Sequence, residues 1–137
     1  VEGEGQKSGI ALDLSQQPRT FPTQKGHTLV RLAKTKGTQH ELANAIAAAY
    51  FLDHKQVNDD EVLAEIGTHF GFTREEAIAG INDSAELKIS HDLAMWAAQQ
   101  GIQGVPFFIF DNKFAVSGCQ PQEVFGMAFD KALEPAA

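Results

Sequence analysis

The sequence predicts an α/β protein in which a block of helices is followed by a β-hairpin and one last helix. Apolar residues recur at helical spacing through the middle of the chain, and after Gly101 two β-rich runs flank a short Asp-Asn turn. A proline, Pro121, then begins the final periodic stretch. The chain of 137 residues, 43% hydrophobic and 21% charged, has the size and composition of one globular domain.

The charge balance argues against a nucleic-acid partner. The chain has 18 acidic and 11 basic residues, a formal net charge of −7, and the basic residues are scattered. The sequence therefore has no cluster of positive charge that could bind a phosphate backbone, and we predict no nucleic-acid binding. No apolar run approaches the ~20 residues that a membrane-spanning helix needs, so we predict no membrane association.

The cysteine and histidine content argues against dithiol and metal chemistry within this chain. Cys119 is the only cysteine, so the chain alone cannot form an internal disulfide or a C-x-x-C pair. The five histidines show neither i, i+4 pairing nor an H-E-x-x-H pattern, so we expect no metal site.

Residues 1–24 are predicted to be a leader followed by a weak strand and a loop. Residues 1–9 are acidic and glycine-rich, which is typical of a flexible leader. Ile10–Leu14 alternates apolar and polar residues, which predicts one short strand. Ser15–Gln24 contains two prolines and is predicted to be a loop.

Residues 25–101 are predicted to form a helical block. Its first helix ends at Gly37, where a left-handed stop is expected. The second and fourth helices begin at the predicted capping boxes Thr38–Glu41 and Thr73–Glu76, in which hydroxyl and carboxylate each satisfy a free amide. The third begins at Asn58–Glu61 with acidic residues that favour a helix N-terminus.

The fifth predicted helix runs from near Ser84 to Gly101. It carries Trp96, which we interpret as a buried anchor between the helical block and the sheet.

Residues 102–137 are predicted to form a strand, a second strand and a helix. Val105–Phe110 is a continuous apolar run, so we expect this strand to be buried on both faces and its phenylalanines to be core residues. Phe114–Val116 forms the second strand of the hairpin. Cys119 follows at a strand end, where we interpret it as a small buried residue.

The C-terminal motifs resemble those of a known family. Gly101–Phe110, Asn112–Gly118 and the Gln-Pro pair ending at Pro121 are similar to the DsbA family of the thioredoxin superfamily, and within it to FrnE-like dithiol–disulfide oxidoreductases. The resemblance covers about residues 10–134. It implies a partial thioredoxin-like fold in which residues 25–101 form a large helical insertion.

The resemblance implies thiol–disulfide exchange by a C-x-x-C pair that lies upstream of the residues seen here, so we expect this chain to be a C-terminal portion without catalytic residues. It also implies a cis Val105–Pro106 peptide and a substrate-binding role for Gly104, Val105 and Pro106. A cis peptide there would turn the Val105 backbone outward, ready to pair with an extended substrate. Thr23 and His27 match a family motif at the start of the helical block and are candidate active-cleft residues.

Two other functions remain open. The chain could belong to the glutathione-dependent enzymes related to kappa-class transferases and hydroxychromene-carboxylate isomerases, or it could be a non-catalytic binding module. The upstream sequence would separate the three functions. A C-x-x-C motif would favour the oxidoreductase, a lone serine the glutathione-dependent enzyme, and the absence of both the binding module. We expect no cofactor, a cytoplasmic location, and a thiol- or disulfide-containing protein or small molecule as substrate. Because a strand from the upstream unit would be missing, we also expect self-association through an exposed sheet edge.

Overall fold

The computed structural model describes residues 2–17 and 19–134. The chain divides into two compact units, one ending at Leu93 and the other beginning at Ala94. Among the described residues, no helix combines the length and apolarity needed to cross a membrane. The predicted domain boundaries, after residues 24 and 101, stay a prediction.

The first described residues form a helix, which the prediction of a leader without regular structure did not include. Helix α1 spans Glu2–Lys7, and Lys7 Nζ lies 2.6 Å from Glu4 Oε1 one turn earlier. The chain then folds back, because the Ile10 amide donates to the Gly5 carbonyl at 2.8 Å. Local bonds of this kind satisfy backbone and side-chain groups of the segment despite its glycines.

The predicted strand Ile10–Leu14 is wrong, since a short 3-10 helix occupies Leu14–Gln16 instead. The Asp13 carboxylate accepts a hydrogen bond from the Ser15 amide at 3.0 Å and caps this turn. A strand needs a neighbouring strand for its backbone groups, and this segment pairs with none in the described residues. Its amides have other partners, since the Leu12 amide donates to the Ile10 carbonyl at 3.0 Å and the Leu14 amide donates to Glu2 Oε1 at 2.8 Å.

The helical block matches the prediction in number and order of helices. After α1 come α2 (Gln24–Leu32), α3 (Gln39–Phe51), α4 (Asp60–Thr68), α5 (Arg74–Asn82) and α6 (Ser84–Gln99). A 3-10 turn, Ala33–Lys36, extends α2 to Gly37, whose φ of 72° confirms the predicted left-handed stop. A core of fully or nearly buried residues holds the first unit together: Leu29, Ala33, Leu42, Val57, Leu63, Ala64, Phe72, Ala77 and Ile81.

The two predicted capping boxes have different outcomes. At α5 the box is confirmed, because the Glu76 amide donates to Thr73 Oγ1 at 3.1 Å and the Thr73 amide donates to Glu76 Oε2 at 2.8 Å. The second of these bonds, together with Lys36, lowers the pKa of Glu76. At α3 the prediction is wrong, because the Thr38 hydroxyl donates at 2.8 Å to the carbonyl of Phe70, which follows α4. The hydroxyl thus donates to a distant carbonyl instead of accepting from the local amide of a capping box.

Lys25, Asp60 and Asn82 connect the starts of α2 and α4 to the end of α5. Lys25 Nζ lies 2.5 Å from Asp60 Oδ1 and 2.8 Å from Asn82 Oδ1, while Asn82 Nδ2 donates to Asp60 Oδ2 at 2.8 Å. The Lys25 bond, followed by the Asn82 bond, lowers the pKa of Asp60. The folded state therefore binds a proton at this site less readily than the unfolded chain.

The first prediction concerns acid stability. A carboxylate with a depressed folded-state pKa stabilises the fold above its unfolded pKa of about 3.9, and this contribution disappears as the pH falls through the folded value. Asp60→Asn should thus cost about 0.2–1 kcal/mol at neutral pH, as expected for a partly exposed pair, and less at pH ~3. Urea unfolding at both pH values measures this. Asp53→Asn is the control, since Asp53 forms no ion pair within the described residues. An equal loss at both pH values would contradict the prediction.

The second unit contains the predicted hairpin and last helix. Strands β1 (Phe107–Phe110) and β2 (Phe114–Ser117) pair antiparallel, and α7 spans Gln122–Leu133. Asp111 and Asn112 between the strands have φ of 49° and 52°, which is typical of the tight turns that match strand twist. The predicted arrangement of helical block, hairpin and last helix is therefore confirmed.

The burial predicted for β1 is wrong. Phe108 and Ile109 are 39% and 55% exposed, and only Phe110, at 9%, is close to buried. Helix α7 contacts one face of the strand: the ring centroids of Phe108 and Phe125 lie 4.9 Å apart, and those of Phe110 and Phe129 lie 5.3 Å apart. β1 carries apolar side chains on both of its faces, and α7 together with β2 cannot bury all of that apolar surface.

Two further burial predictions are also wrong. Trp96 is 56% exposed, so it is not a buried anchor. Cys119 is exposed as well, because it follows Gly118 in the connection between β2 and α7 and lies outside both elements.

Candidate functional site

The residues predicted to bind substrate lie just before β1. The Val105–Pro106 peptide bond is cis, and the Val105 side chain is 90% exposed. Gly104 is exposed too, and a Cβ placed on it would meet no heavy atom within 4 Å. The Pro106 carbonyl accepts a hydrogen bond from the Gly118 amide at 2.8 Å, which fixes this segment to the end of β2.

The hydrogen-bonding pattern of the hairpin determines which backbone groups are free. In an antiparallel pair, hydrogen-bonded and non-hydrogen-bonded pairs alternate along the strand. Because Pro106 bonds to Gly118, the backbone groups of Val105, Phe107 and Ile109 point away from β2. We call this side of the strand the β1 edge. Within residues 2–17 and 19–134, the Val105 amide and carbonyl form no hydrogen bond.

Thr23 and His27 lie together at the start of α2. Thr23 is the residue before the helix, and its carbonyl accepts a hydrogen bond from the His27 amide at 3.0 Å. Both side chains are exposed, and both line a groove of about 310 Å³ between α2 and α3, here called the α2–α3 groove. The structure thus brings these two candidates together in the first unit, while Gly104, Val105 and Pro106 belong to the second unit.

The wall of the α2–α3 groove was missed from the sequence. It includes Val30, Ile46, Tyr50, Phe51 and Val57. Ile46 and Tyr50 recur on α3 at helical spacing, which is typical of a core-facing stripe, and both are half-buried. The overlooked signal is the presence of small residues on both helices, which leave space between them.

No cluster suited to a metal ion occurs in the part of the chain that the structure describes. Trp96 lies beside the hairpin, where it lines a shallow pocket with Phe107 and Ile109.

Comparison with known proteins places this geometry in context. Residues 2–130 match the DSBA-like thioredoxin domain family. The chain is similar to a solved structure described as a probable DsbA oxidoreductase from Streptomyces coelicolor, with 34% sequence identity and a TM-score of 0.84. The match covers 98% of this chain and 59% of that one, so the chain spans less than two thirds of that protein. No curated protein sequence matches the chain significantly.

Proposed function

Because the chain belongs to the family of DSBA-like thioredoxin domains, we propose that the protein is a FrnE-like thiol–disulfide oxidoreductase/isomerase for which this chain supplies a substrate-binding strand edge. Its fold is the DsbA-like thioredoxin fold with a helical insertion. The observation that carries the proposal is the Val105 backbone, whose amide and carbonyl form no hydrogen bond within the described part of the chain and lie on the β1 edge.

The chemistry requires two thiols. A thiolate from a C-x-x-C pair upstream attacks one sulfur of a substrate disulfide, which forms a mixed disulfide and releases the other sulfur as a thiolate. The second cysteine then attacks the mixed disulfide, so the substrate leaves reduced and the enzyme retains the disulfide. Cys119, as a single thiol, cannot complete this cycle.

The β1 edge supplies a means of holding varied substrates. An extended peptide can add to it as a strand and bond to the Val105 amide and carbonyl, and such main-chain bonds do not depend on the substrate's side chains. Gly104 leaves the approach open, because no atom lies near its Cβ position. In this proposal Thr23 and His27 supply polar groups to the active cleft. A cytoplasmic location stays a prediction.

The second prediction tests this function. In an insulin-reduction assay with dithiothreitol, we expect the 137-residue chain to show no turnover above the dithiothreitol background, because no second thiol releases a mixed disulfide. A longer form that includes an upstream C-x-x-C unit should show turnover. Activity of the 137-residue chain that survives Cys119→Ser would contradict the proposed chemistry.

Substitutions in the longer form test the role assigned to the β1 edge. Gly104→Leu should lower kcat/KM at least tenfold, about 1.4 kcal/mol, because the new side chain obstructs the incoming strand. Gly126→Leu on α7 is the matched control, since its Cβ position is equally open. Equal kcat/KM values for the two variants would contradict strand addition at Val105.

The upstream sequence separates this proposal from the alternatives. A lone serine in place of C-x-x-C would favour a glutathione-dependent enzyme, and the absence of both would favour a binding module. We also propose that the isolated chain self-associates through the β1 edge.

A further inference from the structure

His54 has a backbone conformation that is unusual for its residue type. It lies in the loop between α3 and α4 with a φ of 56°, in the left-handed region that glycine adopts most easily. This conformation is unfavourable for a residue that has a Cβ. Such residues persist where their surroundings hold them, and they often mark positions with a role beyond the turn itself. We therefore looked for a contact of the His54 side chain that glycine could not make.

That contact joins residues 10–17, here called the 10–17 segment, to the helical block. His54 Nδ1 lies 3.2 Å from Gln17 Oε1, and both side chains are half-buried. In the part of the chain that the structure describes, no other hydrogen bond connects the segment to the helical block. Ile10 and Leu14 are 49% and 37% exposed, so apolar packing adds little. The attachment of the segment thus depends largely on one side-chain hydrogen bond.

The protonation state of the His54 ring decides whether this hydrogen bond can form. The Gln17 oxygen only accepts, so His54 must carry a proton on Nδ1. The histidine cation carries a proton on both ring nitrogens, whereas the neutral ring carries one proton that occupies either nitrogen. Histidine changes its charge between about pH 5 and 8. Every charged ring can therefore donate to Gln17, while only one of the two neutral forms can.

The charge of Asp13 on the 10–17 segment also favours attachment when His54 is protonated. Hydrogen bonds from Ser15 lower the pKa of the Asp13 carboxyl, and the nearby His54 adds a smaller effect in the same direction. Asp13 is thus ionised throughout the pH range in which histidine titrates, and it attracts the cation. This attraction ends when the segment leaves the loop. Attachment is therefore favoured while His54 is charged and weakens as the pH rises.

The other charged groups around His54 do not reverse this effect. Asp53 and Lys55 flank it on the loop with opposite charges, and both are exposed. At the start of α4, the Asp59 carboxylate accepts hydrogen bonds from two amides of its own helix. Beyond the segment, the Arg19 guanidinium lies over an aromatic ring, 5.3 Å from the ring centroid. Asp13 is thus the carboxylate whose distance from His54 changes when the segment moves.

We propose that His54 is a pH-dependent latch that holds the 10–17 segment against the loop between α3 and α4. Its cation donates from Nδ1 to the Gln17 oxygen and is attracted by Asp13. The segment is held at about pH 5.5 and is released more often at about pH 8, where the ring is neutral. This inference does not depend on the proposed function, because none of these residues belongs to the β1 edge.

The third prediction is pH-dependent protection of the 10–17 segment from hydrogen exchange in the 137-residue chain. The Gln17 amide donates to the Leu14 carbonyl at 3.1 Å, so its exchange reports opening of the segment. Its protection factor, which is corrected for the intrinsic effect of pH on exchange, should be at least about threefold larger at pH ~5.5 than at pH ~8. The Leu42 amide in the core of the helical block should keep its protection factor and serves as the internal reference.

Two substitutions assign the effect to the latch. His54→Gly removes the side chain and keeps the loop, because glycine adopts this backbone more readily than histidine, so the variant should protect Gln17 equally at both pH values. His69→Gln is the control: His69 is an exposed histidine at the end of α4 with no side-chain hydrogen bond in the described residues, and the pH effect should remain. Asp13→Asn keeps an oxygen that accepts from the Ser15 amide but loses the charge, so it should reduce the pH effect.

The outcomes of these measurements decide the proposal. Equal protection of Gln17 at the two pH values in the unmodified chain, or greater protection at the higher pH, would overturn it. A pH effect that persists in the His54→Gly variant would assign the effect to another group and also overturn the proposal. An unchanged pH effect in the Asp13→Asn variant would overturn the attraction assigned to Asp13.

Discussion

Replacing Leu29 with alanine is expected to lower the free energy of unfolding of the first unit by about 2–5 kcal/mol. Leu29 is fully buried in the core formed with α3, α4 and α5. Its Cδ2 atom lies 3.5 Å from the position that a Cβ on Gly67 would occupy, so the side chain packs directly against α4. Truncation removes this apolar contact and leaves a cavity that rigid helices on several sides cannot close.

Urea unfolding followed by helical circular dichroism measures this loss. Leu14→Ala is the control, because Leu14 is 37% exposed and its truncation should change stability by about 0.5 kcal/mol or less. A loss below ~1 kcal/mol for Leu29→Ala would show that the helices close around the gap, and that this core is less tightly packed than the burial of Leu29 indicates.

The 137-residue chain is expected to self-associate through the β1 edge. The described sheet has two strands, and the outward backbone groups of Phe107 and Ile109 face no strand within it. An unpaired apolar edge is a template for another chain, and a lone two-stranded hairpin is only marginally stable in water. Phe129 and Leu133 on α7, 59% and 81% exposed, add apolar surface beside it.

Sedimentation at increasing protein concentration tests this association. Ile109→Lys should raise the concentration needed for dimerisation at least tenfold, because a charged side chain on an edge strand opposes pairing. Ala115→Lys is the matched control, since Ala115 lies opposite Ile109 on β2 and is exposed. A clean monomer at high concentration with protected Phe107 and Ile109 amides would instead show that the edge is covered from within the chain.

Local features of the fold could be predicted from the sequence because their partners are close in the chain. The capping box of Thr73 and Glu76 joins groups three residues apart, and the Asp111-Asn112 turn joins adjacent strands. The helical block also follows from local periodicity and stop signals such as Gly37. The motif from Gly101 to Pro121 is specific enough to indicate the DsbA family by its residues alone, and the family match confirms it.

Features that depend on distant partners could be decided only by the tertiary structure. Thr38 has the sequence of a capping box, yet its hydroxyl donates to Phe70, which lies 32 residues further along the chain. Ile10–Leu14 has an alternating pattern, but no strand in the described sheet lies beside it, and the Leu14 amide instead donates to the side chain of Glu2, 12 residues earlier. The α2–α3 groove likewise exists only because small residues on two separate helices face each other. Periodicity identifies an apolar face, but the packing of other elements decides whether that face is covered, left open as a groove or exposed at an edge.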